Sequence, residues 1–165
     1  MVLGIDNSAL CVIIHRMKKL LNKRFEEFVK ATAKKSDEIY AGKTSEGIEC
    51  LLITKKRNHT INAYAVEADE VAWVGNLVFG FEDDFDSIYL SSIDVAEEYR
   101  NLGIGSFMVD YFIKMAKESE YKNIKIESFQ NLVPYFKKFG FEKCKSNSRI
   151  VSLEKSLTNK KEKTL

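Results

Sequence analysis

The sequence is poor in the residues that break or cross-link a chain. It has one proline and eight glycines in 165 residues, which leaves no proline-, glycine- or serine-rich linker and gives most of the chain the composition of a folded domain. Its three cysteines, Cys11, Cys50 and Cys144, are an odd number without metal-ligand spacing. They read as reduced core or surface thiols of a cytoplasmic protein. His15 and His59 have no Ser, Cys or metal-spaced partner that stands out. They receive no role, and no metal is expected. An excess of one charge is missing too. The formal charge is +2, too mild to demand nucleic acid or a membrane as partner. The apolar patch "ALCVII" is too short to span a bilayer, and no small-residue cleavage site follows it. No internal repeat is present.

What remains is a patterned chain, 45% hydrophobic, of a length that suits one domain. We expect that domain over residues 1–157, with a frayed, lysine-rich tail at 158–165. Leu10, Ile13, Ile14, Met17, Leu21, Phe25 and Phe28 fall at three- and four-residue spacing, which predicts an amphipathic helix over about 8–34. Its other surface carries Arg16, Lys18, Lys19, Lys23 and Arg24. A solvated face and a nucleic-acid or membrane surface both fit that run. Strands follow in "ECLLIT", "TINAYAVE", "VAWVGNLVFGF" and "SIYLSSIDV", rich in β-branched and aromatic residues. Trp73 reads as a sheet core residue. The period then changes. Ile104, Phe107, Met108, Tyr111, Phe112 and Met115 make one helix face, "NIKIESF" a strand, "LVPYFKKFG" a short helix ended by Gly140, and "FEKCK" and "RIVSL" two closing strands. The fold class is α/β (α+β): one mixed, mostly antiparallel central sheet flanked by helices.

One stretch carries chemistry. In "EEYRNLGIGSF" two glycines stand one residue apart between a strand and a helix. A helix N-terminus has unpaired N–H groups and partial positive charge, so it attracts anions. Gly103 and Gly105 let the backbone approach a pyrophosphate, and Arg100 adds a charged donor. A flexible connector would also use two glycines. The nucleotide P-loop is excluded because Gly105 is followed by Ser106 and Phe107, not Lys and Ser/Thr. The dinucleotide fingerprint is excluded because its third glycine would be Met108.

"IDVAEEYRNLGIGSFMVDYFI" resembles the acyl-CoA-binding signature of the GNAT superfamily of N-acetyltransferases, in which an apolar strand ending in Val is followed by Arg/Gln-x-x-Gly-x-Gly/Ala. Val95, Arg100, Gly103 and Gly105 match in place, and "LVPYFKKFGFEK" resembles the family's later aromatic segment before Gly-Phe. The resemblance covers about residues 71–153. It implies an acyl-CoA N-acyltransferase fold with acetyl-CoA as co-substrate. The pyrophosphate would lie on the amides of Arg100, Asn101, Leu102, Gly103, Ile104, Gly105 and Ser106, and the pantetheine arm along Ile93, Asp94 and Val95. Phe129 and Phe136 would complete the coenzyme site.

The resemblance implies acetyl transfer to a primary amine of a small molecule or peptide. The mild charge and the lack of a long apolar run argue against nucleic acid and membrane as partners, and a homodimer is a possible assembly. Direct transfer is expected, since no cysteine sits at the motif. A tyrosine four residues before the glycine of Gly-Phe often protonates the leaving thiolate in this family, and here that position is Phe136. Tyr135 lies one residue early, turned by ~100° on a helix. It is either the general acid or a packed aromatic. The base is equally open. Relatives often place an acid or histidine at the positions of Tyr89 or Ser91. Asp94 is the only carboxylate on that strand, and a bulge would turn it inward. The loop acids Glu82, Asp83, Asp84 and Asp86 would instead attract a cationic amine through water, or simply solvate a turn. An acyl-CoA-binding module without efficient transfer and a toxin-type acetyltransferase acting on aminoacyl-tRNA are the alternatives.

Overall fold

The structure is a computed structural model that describes residues 23–67, 70–82, 86–146 and 149–158. The first part of the helix expected over 8–34, the loop acids Asp83 and Asp84, and the tail beyond 158 lie outside the described residues. In chain order the elements are α1 (Lys23–Ala33), β1 (Glu38–Lys43), β2 (Glu49–Lys55), β3 (Thr60–Glu67), β4 (Glu70–Phe81), β5 (Ser87–Val95), α2 (Ile104–Glu118), β6 (Asn123–Phe129), α3 (Val133–Lys137), β7 (Glu142–Ser146) and β8 (Ile150–Ser156). The strands form an eight-stranded sheet in the order β1-β2-β3-β4-β5-β6-β8-β7. β5 and β6 are parallel, whereas β1 with β2, β2 with β3, β6 with β8 and β7 with β8 are antiparallel. This is the mixed sheet that the order of sequence periods predicts.

The described chain resolves into two compact units. The first holds the residues up to Leu77 with Ile93–Met108, and the second holds Val78–Ser92 with the residues from Val109 onward.

In the first unit β2 is buried from Cys50 to Thr54 without alternation, as expected of a strand covered on both faces. Val29 of α1 is fully buried against Ile39, Ala41, Leu51, Ile53 and Val66, and Phe28 meets the Tyr64 ring edge-on at 5.4 Å. Each of the valine, leucine and isoleucine side chains contributes about 1.5–3 kcal/mol by leaving water. β1 has no counterpart among the expected strands. Its "EIYAGK" is short and holds Ala, Gly, Lys and Glu, all depleted in sheets. Ile39 and Ala41 alternate into the core and hold it there.

In the second unit the alternation is regular. Ile88 and Leu90, Ile124 and Ile126, and Val151 and Leu153 are buried, so these strands turn one face to the core. Phe112 of α2 packs on Phe79 of β4, with ring centroids 5.6 Å apart. α3 buries Val133 and Phe136. Gly140 follows at φ 81°, with its N–H donated to the Lys137 carbonyl, which is the glycine stop read from the sequence. Trp73 departs from expectation. It neighbours the fully buried Val74 on β4 and is itself 47% exposed, because alternation sends the two side chains to opposite faces.

Candidate active site

The glycine stretch forms a shaped loop. β5 ends at Val95, Glu97–Tyr99 make a single 3₁₀ turn, and α2 begins at Ile104. The start is pinned by the Ala96 N–H on the Val74 carbonyl at 2.9 Å and by Arg100 Nε on the Val95 carbonyl at 3.1 Å. Asn101 and Gly103 both adopt positive φ, 62° and 78°, which bends the chain back into the helix. The Phe107 N–H then donates to the Gly103 carbonyl at 2.9 Å. The loop thus leads into the N-terminus of α2, with Arg100 beside it, and a helix N-terminus carries unpaired N–H groups that attract anions.

Gly103 has a second reason to be glycine. A Cβ built there would lie 2.7 Å from Ser45 Oγ and 3.1 Å from Thr44 Cβ. The turn between β1 and β2 therefore rests against the loop. That turn is closed by Thr44, whose N–H donates to the Ile48 carbonyl and whose carbonyl accepts from Gly47. One helical turn beyond Gly103, the Phe107 ring lies against Gly42 of β1, where a Cβ would approach it to 2.9 Å. This backing has no local trace in the sequence, because the residues of β1 have weak strand preference.

The parallel pairing of β5 and β6 is short. It runs from Ser87 with Asn123 to Leu90 with Ile126 and stops. β6 nevertheless continues to Phe129, paired throughout with β8. Ser91 of β5 and Glu127 of β6 are thus the first residues past the last β5–β6 partners.

On the second unit's other sheet face lies a cleft of about 580 Å³ lined by Tyr89, Ser91, Lys125, Glu127, Ser152 and Glu154 among others. Tyr89 pairs with Lys125, and Lys125 with Glu154, across three strands. Glu127 pairs with Ser152. Tyr89 lies over Gly80, whose added Cβ would fall 2.2 Å from the ring. The loop acids are engaged: Glu82 holds Lys125 at 2.5 Å, and Asp86 holds Lys122 at 2.7 Å. Cys144 also lines the cleft, and its Sγ donates to Glu154 Oε2 at 3.7 Å. Burial first, then the Glu154 charge, pushes its thiol up from the usual range.

The sequence profile of the acetyltransferase (GNAT) domain matches residues 24–152. The chain belongs to the GNAT acetyltransferase family. Its mixed eight-stranded sheet with helices is the GNAT acyltransferase fold. An N-acetyltransferase from Staphylococcus aureus Mu50 has the same fold at 22% identity and TM-score 0.51, covering 63% of this chain and 72% of that one. A candidate N-acetyltransferase from Lactobacillus plantarum shares it at 12% identity and TM-score 0.51, over 92% of this chain and 90% of that one. No curated protein matches the sequence.

The other residues expected at the GNAT site are placed as follows. Ile93 and Val95 are half-buried, and Asp94 is exposed. Its carboxylate is not carried into the core, and its main-chain oxygen lies against Gly75, whose Cβ would meet it at 2.4 Å. Phe129 is 64% exposed at the end of β6. Phe136 is buried, edge-on to Phe141 at 6.0 Å and to Tyr135 at 5.1 Å. Tyr135 is half-buried and also meets Phe139 edge-on at 5.2 Å. Glu127 was not among the expected residues. The alternation in "NIKIESF" put it on the face opposite Ile124 and Ile126, and that signal was available in the sequence.

Proposed function

We propose that this protein is an acetyl-CoA-dependent N-acetyltransferase that acts by direct transfer to a primary amine of a small molecule or peptide. The single observation behind the coenzyme assignment is the glycine loop of residues 101–106, bent by positive φ at Asn101 and Gly103 into the start of α2. A helix start with an arginine beside it suits a pyrophosphate in sign. Arg100 adds positive charge, and Ile93, Asp94 and Val95 offer main chain to the pantetheine arm. The coenzyme supplies the acetyl group as a thioester.

Direct transfer is supported by the two thiols among the described residues. Cys50 is fully buried, and burial, with Glu49 beside it, pushes its pKa up to about 12. The Cys144 thiol is also held in its neutral form. Neither is a ready nucleophile, because the thiolate is the reactive species. An amine attacking without a covalent enzyme intermediate is the simpler reading.

The test is calorimetry with acetyl-CoA, which should bind in the micromolar range, about −8 kcal/mol. Gly105 is helical without positive φ, so Gly105→Glu brings charge to the cradle without backbone strain. It should abolish binding while the melting temperature holds. Undiminished binding in that variant would overturn the coenzyme assignment.

A further inference from the structure

We propose that the turn between β1 and β2 supplies a further hydrogen-bond donor to the coenzyme, the Ser45 hydroxyl, which meets its pyrophosphate. This rests on the acetyltransferase reading above. The residues involved, 42–48 and 100–107, all belong to the first compact unit. The turn lies more than fifty residues before "RNLGIG", so this donor is no part of the glycine signature.

Position is the first observation. A Cβ built on Gly103 would fall 2.7 Å from Ser45 Oγ and 3.3 Å from the Ser45 nitrogen. A carbon–carbon bond is about 1.5 Å long, so the hydroxyl stands no more than about 4.2 Å from the Gly103 Cα. A phosphate group seated on the start of α2 beside Gly103 is therefore flanked by Ser45.

The turn holds this position without help from a ligand. Thr44 is buried. Its N–H donates to the Ile48 carbonyl at 2.9 Å, its carbonyl accepts from the Gly47 N–H at 3.0 Å, and its Oγ1 accepts from the Ile48 N–H at 3.2 Å. β1 meets the start of α2 at a second point, where the Phe107 ring lies against Gly42 and 5.8 Å from the Tyr40 ring. Ser45 is the uncommitted member of this rigid corner. It is exposed. Among the described residues its hydroxyl has one partner, Glu46 Oε1 at 3.5 Å, well beyond the roughly 2.5–3.0 Å usual for an O–H···O bond. A hydroxyl turns about a single bond, so it exchanges that long contact for a short, charge-assisted bond to a phosphate oxygen. Glu46 opposes the exchange, because its carboxylate competes for the proton and repels the phosphate.

The probes are coenzyme A and dephospho-coenzyme A, which share the pyrophosphate and differ in the ribose phosphate. By calorimetry Ser45→Ala should bind each about 10-fold more weakly than the wild type, the scale of a hydrogen bond to a charged acceptor. Equal losses for the two probes place the contact at the pyrophosphate. Glu46→Gln should bind both a few-fold more tightly, and that gain should be smaller when Ser45 is already alanine. A serine that only packs against the loop would show no such coupling. Ser45 and Glu46 are both exposed, so the melting temperatures should hold. Undiminished affinity in Ser45→Ala, a loss seen with coenzyme A but not with dephospho-coenzyme A, or strict additivity of the two substitutions would overturn the assignment. Should Ser45→Ala prove unstable, Glu46→Gln decides by itself, and unchanged affinity there overturns it. A wild-type protein that binds neither probe would fault the coenzyme reading, and this one with it.

Discussion

Gly103→Ala tests whether the phosphate-type loop is shaped by the protein before any ligand arrives. Two costs are expected. Gly103 has φ 78°, in the left-handed region, where an L side chain costs roughly 1–2 kcal/mol. The new Cβ would also lie 2.7 Å from Ser45 Oγ, 3.1 Å from Thr44 Cβ and 3.3 Å from the Ser45 nitrogen. Ser45 is exposed, and its hydroxyl rotates away at the price of a poorer rotamer, about 0.5–1.5 kcal/mol. Thr44 is buried, with its hydroxyl accepting from the Ile48 N–H, so it yields less. Alanine stiffens the unfolded chain and returns about 0.4–1 kcal/mol. The net loss is about 1–2 kcal/mol. For a chain of this size that is a fall in Tm of about 2–8 °C. Thermal and urea unfolding would measure it. Ser45→Gly removes the hydroxyl, so the double variant Gly103→Ala/Ser45→Gly should recover about 0.5 kcal/mol relative to additivity. Unchanged stability in Gly103→Ala, or perfect additivity with Ser45→Gly, would refute the claim that the β1–β2 turn backs this loop.

Two further outcomes are expected. Phe136→Tyr places a hydroxyl among buried aromatic rings; it should cost about 1–3 kcal/mol in urea unfolding. A stable Phe136→Tyr protein with faster turnover would show that the hydroxyl finds the leaving thiolate, and a 10²-fold loss in Tyr135→Phe would make Tyr135 the acid. In a Cys11→Ser background at pH 8, a thiol reagent should modify Cys144 slowly and spare buried Cys50. Because the Cys50 pKa is raised to about 12, its neutral folded form favours the native state below the unfolded value near 9. That contribution is lost as pH rises from 9 to 12, and Cys50→Ala should flatten this part of the stability profile.

What the sequence reveals here follows from how local each signal is. β3 and β5 begin and end where "TINAYAVE" and "SIYLSSIDV" do, because their patterns and bounding turns are contained within a few residues. The start of α2 and the stop after α3 are written in single glycines. β1 is different. Its six residues have weak intrinsic sheet preference, and only pairing with β2 and the burial of Ile39 and Ala41 decide its state. Tertiary context of that kind has no local trace.

The site divides along the same line. The cradle at residues 101–106 depends on backbone conformation, which Gly103 and Gly105 announce. The acceptor chemistry depends on which strands are neighbours and where their pairing ends. Asp94 is the carboxylate that β5 alone offers, and it is exposed, as is Glu127 on the next strand. Which residues of β5 and β6 stand in step is known only once the two strands are known to pair in parallel and to part after Leu90 and Ile126. A parallel partner joined through a helix is distant in sequence, so its register cannot be counted off a turn as in a hairpin. A carboxylate on such a strand is an ordinary alternating surface residue until the register is fixed. Once it is, Glu127 and Ser91 fall in step at the end of the ladder, one position past Leu90 and Ile126.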